Sequence, residues 1–160
     1  MATRIIKILL ALSAAAWGLI GGIRNLYDYP SGIEFAAFLL SVEGTDSIRG
    51  LTHPIFAHIG YAFVWISKFV TSALCALGTV ALWYSRLGAP AEFSNAKEKV
   101  YLGIGISIFM LFFGFMVVAG ALFAPSQISE VKTLYFEYTT FQLIGLGMIM
   151  LFLNLPEREL

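Results

Sequence analysis

The chain has 160 residues, 59% hydrophobic and 12% charged, with ten basic side chains balanced by ten acidic ones. Ordinary soluble domains carry roughly 25% charged residues, so this composition, with a mean hydropathy of +0.82, excludes a typical water-soluble domain. It indicates a protein whose solvent is the lipid bilayer, and no nucleic-acid partner is expected.

The apolar residues gather into four blocks, about 5–23, 55–84, 100–123 and 133–153. Each meets the requirement of roughly 20 residues to cross about 30 Å of hydrocarbon. The alternating ten-residue segments of a membrane barrel are missing. The expected fold is therefore an all-α integral membrane protein with a single domain, 1–160. Its expected architecture is an up-and-down bundle of four transmembrane helices with a large first outer loop, about 25–54.

The first block, within MATRIIKILLALSAAAWG, has a short basic start, an apolar run and small residues at Ser13–Ala16. A secretory signal cleaved after Ala15 or Ala16 has this pattern. The apolar run continues through Leu19, Ile20 and Ile23, which favours a retained helix. Ala14, Gly18 and Gly22 recur every four residues, a stripe of small side chains that lets another helix approach closely. In the loop that follows, SGIEFAAFLLSVEG places Ile33, Ala36, Ala37 and Leu40 at helical spacing. A short helix at the interface or folded over the bundle is expected there.

The second block carries the unusual chemistry. His58, Tyr61, Trp65, Lys68, Ser72, Cys75 and Thr79 recur at intervals of three and four, along one broad helix face. Lys68 is the only Asp, Glu, Lys or Arg between His58 and Arg86. An unpaired charge at the helix centre costs about 2.5–3.5 kcal/mol on insertion scales. That cost favours a compensating group, and Glu137 in YFEYTTFQ, with Gln142 beyond it on the fourth block, is the expected partner. His58, Tyr61, Trp65, Lys68, Glu137 and Gln142 together form the expected intramembrane polar or partner site.

The inner loop SRLGAPAEFSNAKEKV is polar and rich in turn residues, with Ser94 placed as an N-cap for the third helix. Glycines at 103, 105 and 114 with Ser107, and at 145 and 147, suit close packing in the third and fourth helices. Arg4, Lys7, Arg86, Lys97, Lys99 and Arg158 fall on one side of this topology; Arg24, Arg49 and Lys132 fall on the other. The bias places both termini on the cytoplasmic side, and a bacterial inner membrane is the expected location.

No catalytic or metal-binding signature appears. The sequence has no GxGxxG, phosphate loop, CxxC or HExxH. His53 and His58 lie on one segment, so two opposed haem ligands are not available from separate helices. The lone Cys75 suits a small buried side chain. No catalytic residue, metal site or obligatory cofactor is expected, although a lipid or quinone could occupy the polar face of the second helix.

The stretches RIIKILLALSAAAWGLIGGIRNLYDY, SGIEFAAFLLSVEGT, LTHPIFAHIGYAFVWISKF and GFMVVAGALF carry a resemblance across essentially the whole chain. They resemble the DUF2165 family of predicted small integral membrane proteins, with Lys68 and AGALFAPSQ departing from the family pattern. The resemblance implies four helices and no particular biochemical activity. Three functional readings follow from the residues. The first is an accessory or scaffolding subunit of a larger membrane assembly, partnered by other integral membrane subunits or by copies of itself. The second is a small oligomeric transporter or ion-coupled protein using Lys68 and Glu137, and the third is a quinone- or haem-associated redox subunit.

Overall fold

A computed structural model describes residues 1–41, 53–122 and 137–156. The described residues form helices and no strands, as a hydrocarbon solvent demands: helices satisfy their backbone polar groups within one segment. The elements are α1 (Ala2–Tyr27), α2 (Tyr29–Ser41), α3 (Pro54–Ser85), α4 (Pro90–Asn95), α5 (Glu98–Phe109), a π-helical segment (Met110–Leu122) and α6 (Tyr138–Asn154).

Three stretches among the described residues are long and apolar enough to cross a membrane: Ala2–Tyr27, Pro54–Ser85 and Pro90–Val118. The 17-residue α6 is a shorter apolar helix. The expected fourth block began at 133, and residues 133–136 lie outside the described part, as does the section of the outer loop at 42–52. Helix α1 continues to Tyr27 instead of ending near residue 23. Polar Arg24 and Asn25 do not stop it, because a helix at a membrane boundary still has to pair its backbone groups. The next turn is held by Asp28, whose side chain accepts a hydrogen bond from the Ser31 hydroxyl at 2.7 Å and whose carbonyl accepts from the Gly32 amide at 3.1 Å.

Helix α3 is the hub, packing against α1, α2 and α5. It starts with Pro54, whose missing amide hydrogen costs nothing in a first turn. His53 is its N-cap, with Nδ1 accepting from the Ile55 amide at 3.3 Å. Its 32 residues span about 48 Å at the helical rise of 1.5 Å per residue, well beyond a hydrocarbon core of roughly 30 Å. The surplus must be taken up by tilt or by ends that emerge into the interface.

Contacts along α3 give the chain directions. Arg4 near the start of α1 meets Arg86 and Gly88 beyond the end of α3, while Asn25 near the end of α1 meets Tyr61. The two helices are therefore antiparallel. Gly78 packs on Val100, Cys75 on Gly103 and Thr71 on Ser107, so α5 is antiparallel to α3. Lys7 donates to the Leu155 carbonyl, which sets the end of α6 beside the start of α1.

The helix stagger concentrates cations at this one end. Arg4, Lys7 and Lys97 are almost completely buried, at 2%, 0% and 3% exposed. Arg4 donates to the carbonyls of Arg86 and Gly88 at 2.9 and 2.8 Å. The last carbonyls of a helix have no partner within it, and the negative end of the helix dipole favours a cation there. The ring of Phe93, delivered by α4, is fully buried; the Arg4 guanidinium lies 5.0 Å from its centroid and the Lys97 ammonium 5.6 Å. These residues read as orientation signals in the sequence, but in the fold they also fasten helix ends. Ser94 lies inside α4, and the N-cap of α5 is Lys97 with no side-chain cap. The α4 turn displaces the helix start that was expected at Ser94.

Candidate functional site

The opposite end of α3 holds the polar face expected from the sequence. At its start, α2 folds across α3 and closes on aromatic side chains. The Tyr29 hydroxyl is 2.9 Å from His58 Nδ1, with the two rings stacked at 5.9 Å and 26°. Tyr29 also meets the Tyr61 ring edge-on at 5.3 Å. The Tyr61 hydroxyl donates to the Asn25 carbonyl at 2.9 Å, a carbonyl in the last turn of α1. Gly32 lies directly against the Tyr61 ring, where no side chain fits. His58, Tyr61 and Tyr29 thus tie the α1–α2 corner onto α3.

One and two turns further along α3 come Trp65 and Lys68. Trp65 packs edge-on against Phe69 at 6.2 Å, and its buried indole Nε1 has no hydrogen-bond partner among the described residues. Lys68 is half-buried. Its ammonium lies 5.7 Å from the centroid of the Trp17 ring, within range of a cation–π attraction. Its aliphatic end runs over Gly21: a Cβ there would come within 3.2 Å of the lysine Cδ and 3.3 Å of Nζ. Trp17, Gly21 and Arg24 follow the i, i+4, i+7 spacing of one helix face.

Glu137 is exposed just before α6 begins, and no ion pair joins it to Lys68 among the described residues. Gln142 is partly buried on α6. The structure therefore assembles His58, Tyr61, Trp65 and Lys68 along α3, while Glu137 and Gln142 lie at the start of and within α6, with no hydrogen bond or ion pair to them among the described residues.

The small face of α1 lies against this same part of α3. A Cβ on Gly18 would stand 2.6 Å from the Lys68 carbonyl oxygen, and one on Gly22 would stand 3.1 Å from the Phe69 ring. Ala14 is 1% exposed. Deeper along α3, Ser72 and Cys75 are buried, whereas the Thr79 hydroxyl turns back to the Cys75 carbonyl at 2.7 Å. The strongest polar link between α3 and α5 comes from Thr71, which the three-and-four spacing passed over. Its hydroxyl donates to the Gly103 carbonyl at 2.9 Å and lies 2.7 Å from the Ser107 hydroxyl, all in a fully buried position. The signal was Gly103 and Ser107 one turn apart on α5, opposite a hydroxyl.

Between α2, α3 and the π-helical segment is a cavity of about 560 Å³. Its wall is apolar and aromatic, with Phe35 and Leu39 from α2, Phe63 and Val64 from α3, and Phe113 from the π-helical segment. Lys68 contributes the cation, while Asn25 and Tyr61 line the polar margin. Volumes of roughly 300–1,000 Å³ with a few convergent polar groups are typical of small-molecule sites. Among the described residues, no group of three or more His, Cys, Asp or Glu side chains is placed to hold a metal ion.

Comparison with curated proteins and with solved structures gives no match. A family model does match, over residues 3–155, and it describes a predicted small integral membrane protein. That match spans nearly every element described above, from the start of α1 to the end of α6, and the chain belongs to the DUF2165 family.

Proposed function

We propose that the protein is a non-catalytic accessory or scaffolding subunit of a larger membrane assembly. In this reading α6 is the fourth transmembrane helix, and both termini face the cytoplasm across a bacterial inner membrane. The observation that carries the proposal is the outer face of α6. Phe141, Ile144, Met148 and Leu151 are 80%, 59%, 63% and 67% exposed and recur at helical spacing. Gly145 lies within that face, and a Cβ there would meet nothing within 4 Å. Glycine between large side chains is the pattern by which membrane helices admit a close neighbour, and no described residue comes within 4 Å of a Cβ at that position.

Several polar groups elsewhere are used within the chain. Tyr29, His58 and Tyr61 hold the α1–α2 corner, Thr71 joins α3 to α5, and Arg4 caps α3. This distribution suits a protein built to be held in place beside another. The test is intact-complex mass spectrometry after mild detergent extraction from the native membrane, for the natural chain and a Gly145→Phe variant. A stoichiometric complex with another membrane subunit or a second copy, lost in the variant, is expected. A monodisperse monomer from the native membrane refutes the proposal.

A further inference from the structure

We infer that the cavity beneath α2 is a binding site for a long-chain carboxylate drawn from the bilayer, with its headgroup held by Lys68. Three observations converge on this ligand class. The cavity lies between elements that come from distant parts of the chain, and its wall is mostly apolar, with phenylalanine, leucine and valine side chains prominent. Such a wall accepts a hydrocarbon chain and offers almost no hydrogen bonds to a polar solute. The volume of about 560 Å³ falls within the range of single-ligand sites, suiting a one-chain amphiphile more than a two-chain phospholipid.

The second observation is the cation. Lys68 lines the cavity, with its ammonium against Trp17 and Gly21 on the α1 side. Arg24 follows Trp17 and Gly21 on the same face of α1 and adds a second basic residue to that side. The carboxylates nearest in sequence to this corner are otherwise placed: Asp28 accepts from Ser31, and Glu34 is exposed on α2. A carboxylate entering beside a lysine in an apolar setting favours the lysine's ionised form and pairs with it. Neither a neutral lipid nor a cationic ligand answers that charge.

The third is Gly60. It lines the cavity, and a Cβ on it would meet nothing within 4 Å. Gly60 is exposed at the edge of the cavity, so a larger side chain placed there has room to extend into it. Tyr61 beside it is held by Asn25 and packed on Gly32, so its ring forms a fixed margin instead of a plug.

The site can be probed with the full-length protein in nanodiscs of zwitterionic lipid, using dibrominated stearate, whose bromines quench nearby tryptophan. Trp17 and Trp65 lie near Lys68, whereas Trp83 stands towards the far end of α3 and reports general partition into the bilayer, and single-tryptophan variants separate the signals. Saturable quenching is expected at one ligand per protein, competed by oleate and not by oleyl alcohol. Gly60→Leu fills the cavity without touching Lys68, and Lys68→Met removes the charge while keeping the stem. Each should weaken binding at least tenfold. Equal competition by oleyl alcohol overturns the assignment of an anionic head, and stronger competition by lysophosphatidic acid than by oleate overturns the carboxylate. Quenching unchanged in the folded Gly60→Leu variant overturns the cavity itself, whatever the fate of Lys68→Met.

Discussion

Gly18 offers a direct measure of how α1 and α3 are held. In Gly18→Ala the new Cβ would stand 2.6 Å from the Lys68 carbonyl oxygen, 3.0 Å from the Ser72 amide nitrogen and 3.2 Å from the Ser72 Cβ. The first of these falls about 0.8 Å short of the 3.4 Å at which ordinary contact begins. Two of the three atoms are backbone, so no rotamer change can relieve the clash. The helices must separate along the most extensive interface in the fold, loosening Ala14 and the Gly22–Phe69 contact as well. Overpacking of a close interface costs roughly 1–3 kcal/mol, and the value here should lie in the upper half of that range. Gly105→Ala is the matched control, because its Cβ meets nothing within 4 Å. Relief of glycine's backbone entropy should make that variant neutral or stabilising by up to about 1 kcal/mol. Reversible unfolding in mixed micelles, titrated with a denaturing detergent, would read both. Equal effects of the two substitutions would show that α1 and α3 do not meet through Gly18, and the arrangement of Lys68 over Gly21 would fall with it.

Two further perturbations address the remaining helix links. Thr71→Val keeps the shape of the side chain and removes the hydroxyl shared with Gly103 and Ser107. Interhelical hydrogen bonds in membranes average about 0.6 kcal/mol and reach roughly 1.7; this one should sit near the upper figure because Ser107 is left buried without its partner. Combined with Ser107→Ala, the loss should be less than additive in the same unfolding assay, and strict additivity would contradict the contact. Arg4→Met removes two charged hydrogen bonds from the end of α3, a loss of about 2 kcal/mol on the scale for charged donors. Hydrogen exchange should rise selectively at residues 82–88, and a uniform change along the chain would argue against a local cap.

The parts of this fold that could be read in the sequence are those governed by transfer into lipid. Long apolar blocks, interrupted by charges and turn residues, locate α1, α3 and the stretch from α5 through the π-helical segment, because hydrocarbon penalises any other backbone state. The interval of four in Ala14, Gly18 and Gly22 also identifies a face of α1, since side-chain size alone limits how near two helices can come. Gly105, Gly145 and Gly147, read by the same argument, have no described atom within 4 Å of a notional Cβ. A small residue permits close approach without requiring that a neighbour be present.

The other gaps share a cause in the competition among partners. Lys68 was expected to seek a carboxylate, and Glu137 was the candidate with a suitable charge. Helical rise gives depth along the membrane normal but leaves unspecified which neighbouring helix a flexible four-carbon stem will follow. In the fold, Gly21 opens a channel for that stem and Trp17 presents its ring to the ammonium. Arg4 and Lys7 illustrate the same limit from the other side. Charge counting assigned them to an aqueous boundary, yet the carbonyls ending α3 and α6 are stronger determinants of where their heads go, since a helix end without donors is costly near hydrocarbon.

Two parts of α3 consequently do different work. At the Arg4 end, cations meet backbone carbonyls and the Phe93 ring, and the site is closed by the chain itself. Nearer the middle of α3, the Lys68 cation meets an aromatic ring and borders an apolar cavity. Packing alone would be better served there by leucine or methionine, which would fill the space over Gly21 without the cost of an intramembrane charge. A lysine at position 68 is favoured when something anionic enters the cavity beside it. The membrane assembly proposed through α6 and the carboxylate proposed beneath α2 use separate surfaces, so a Gly60→Leu chain that still forms its complex would separate ligand binding from assembly.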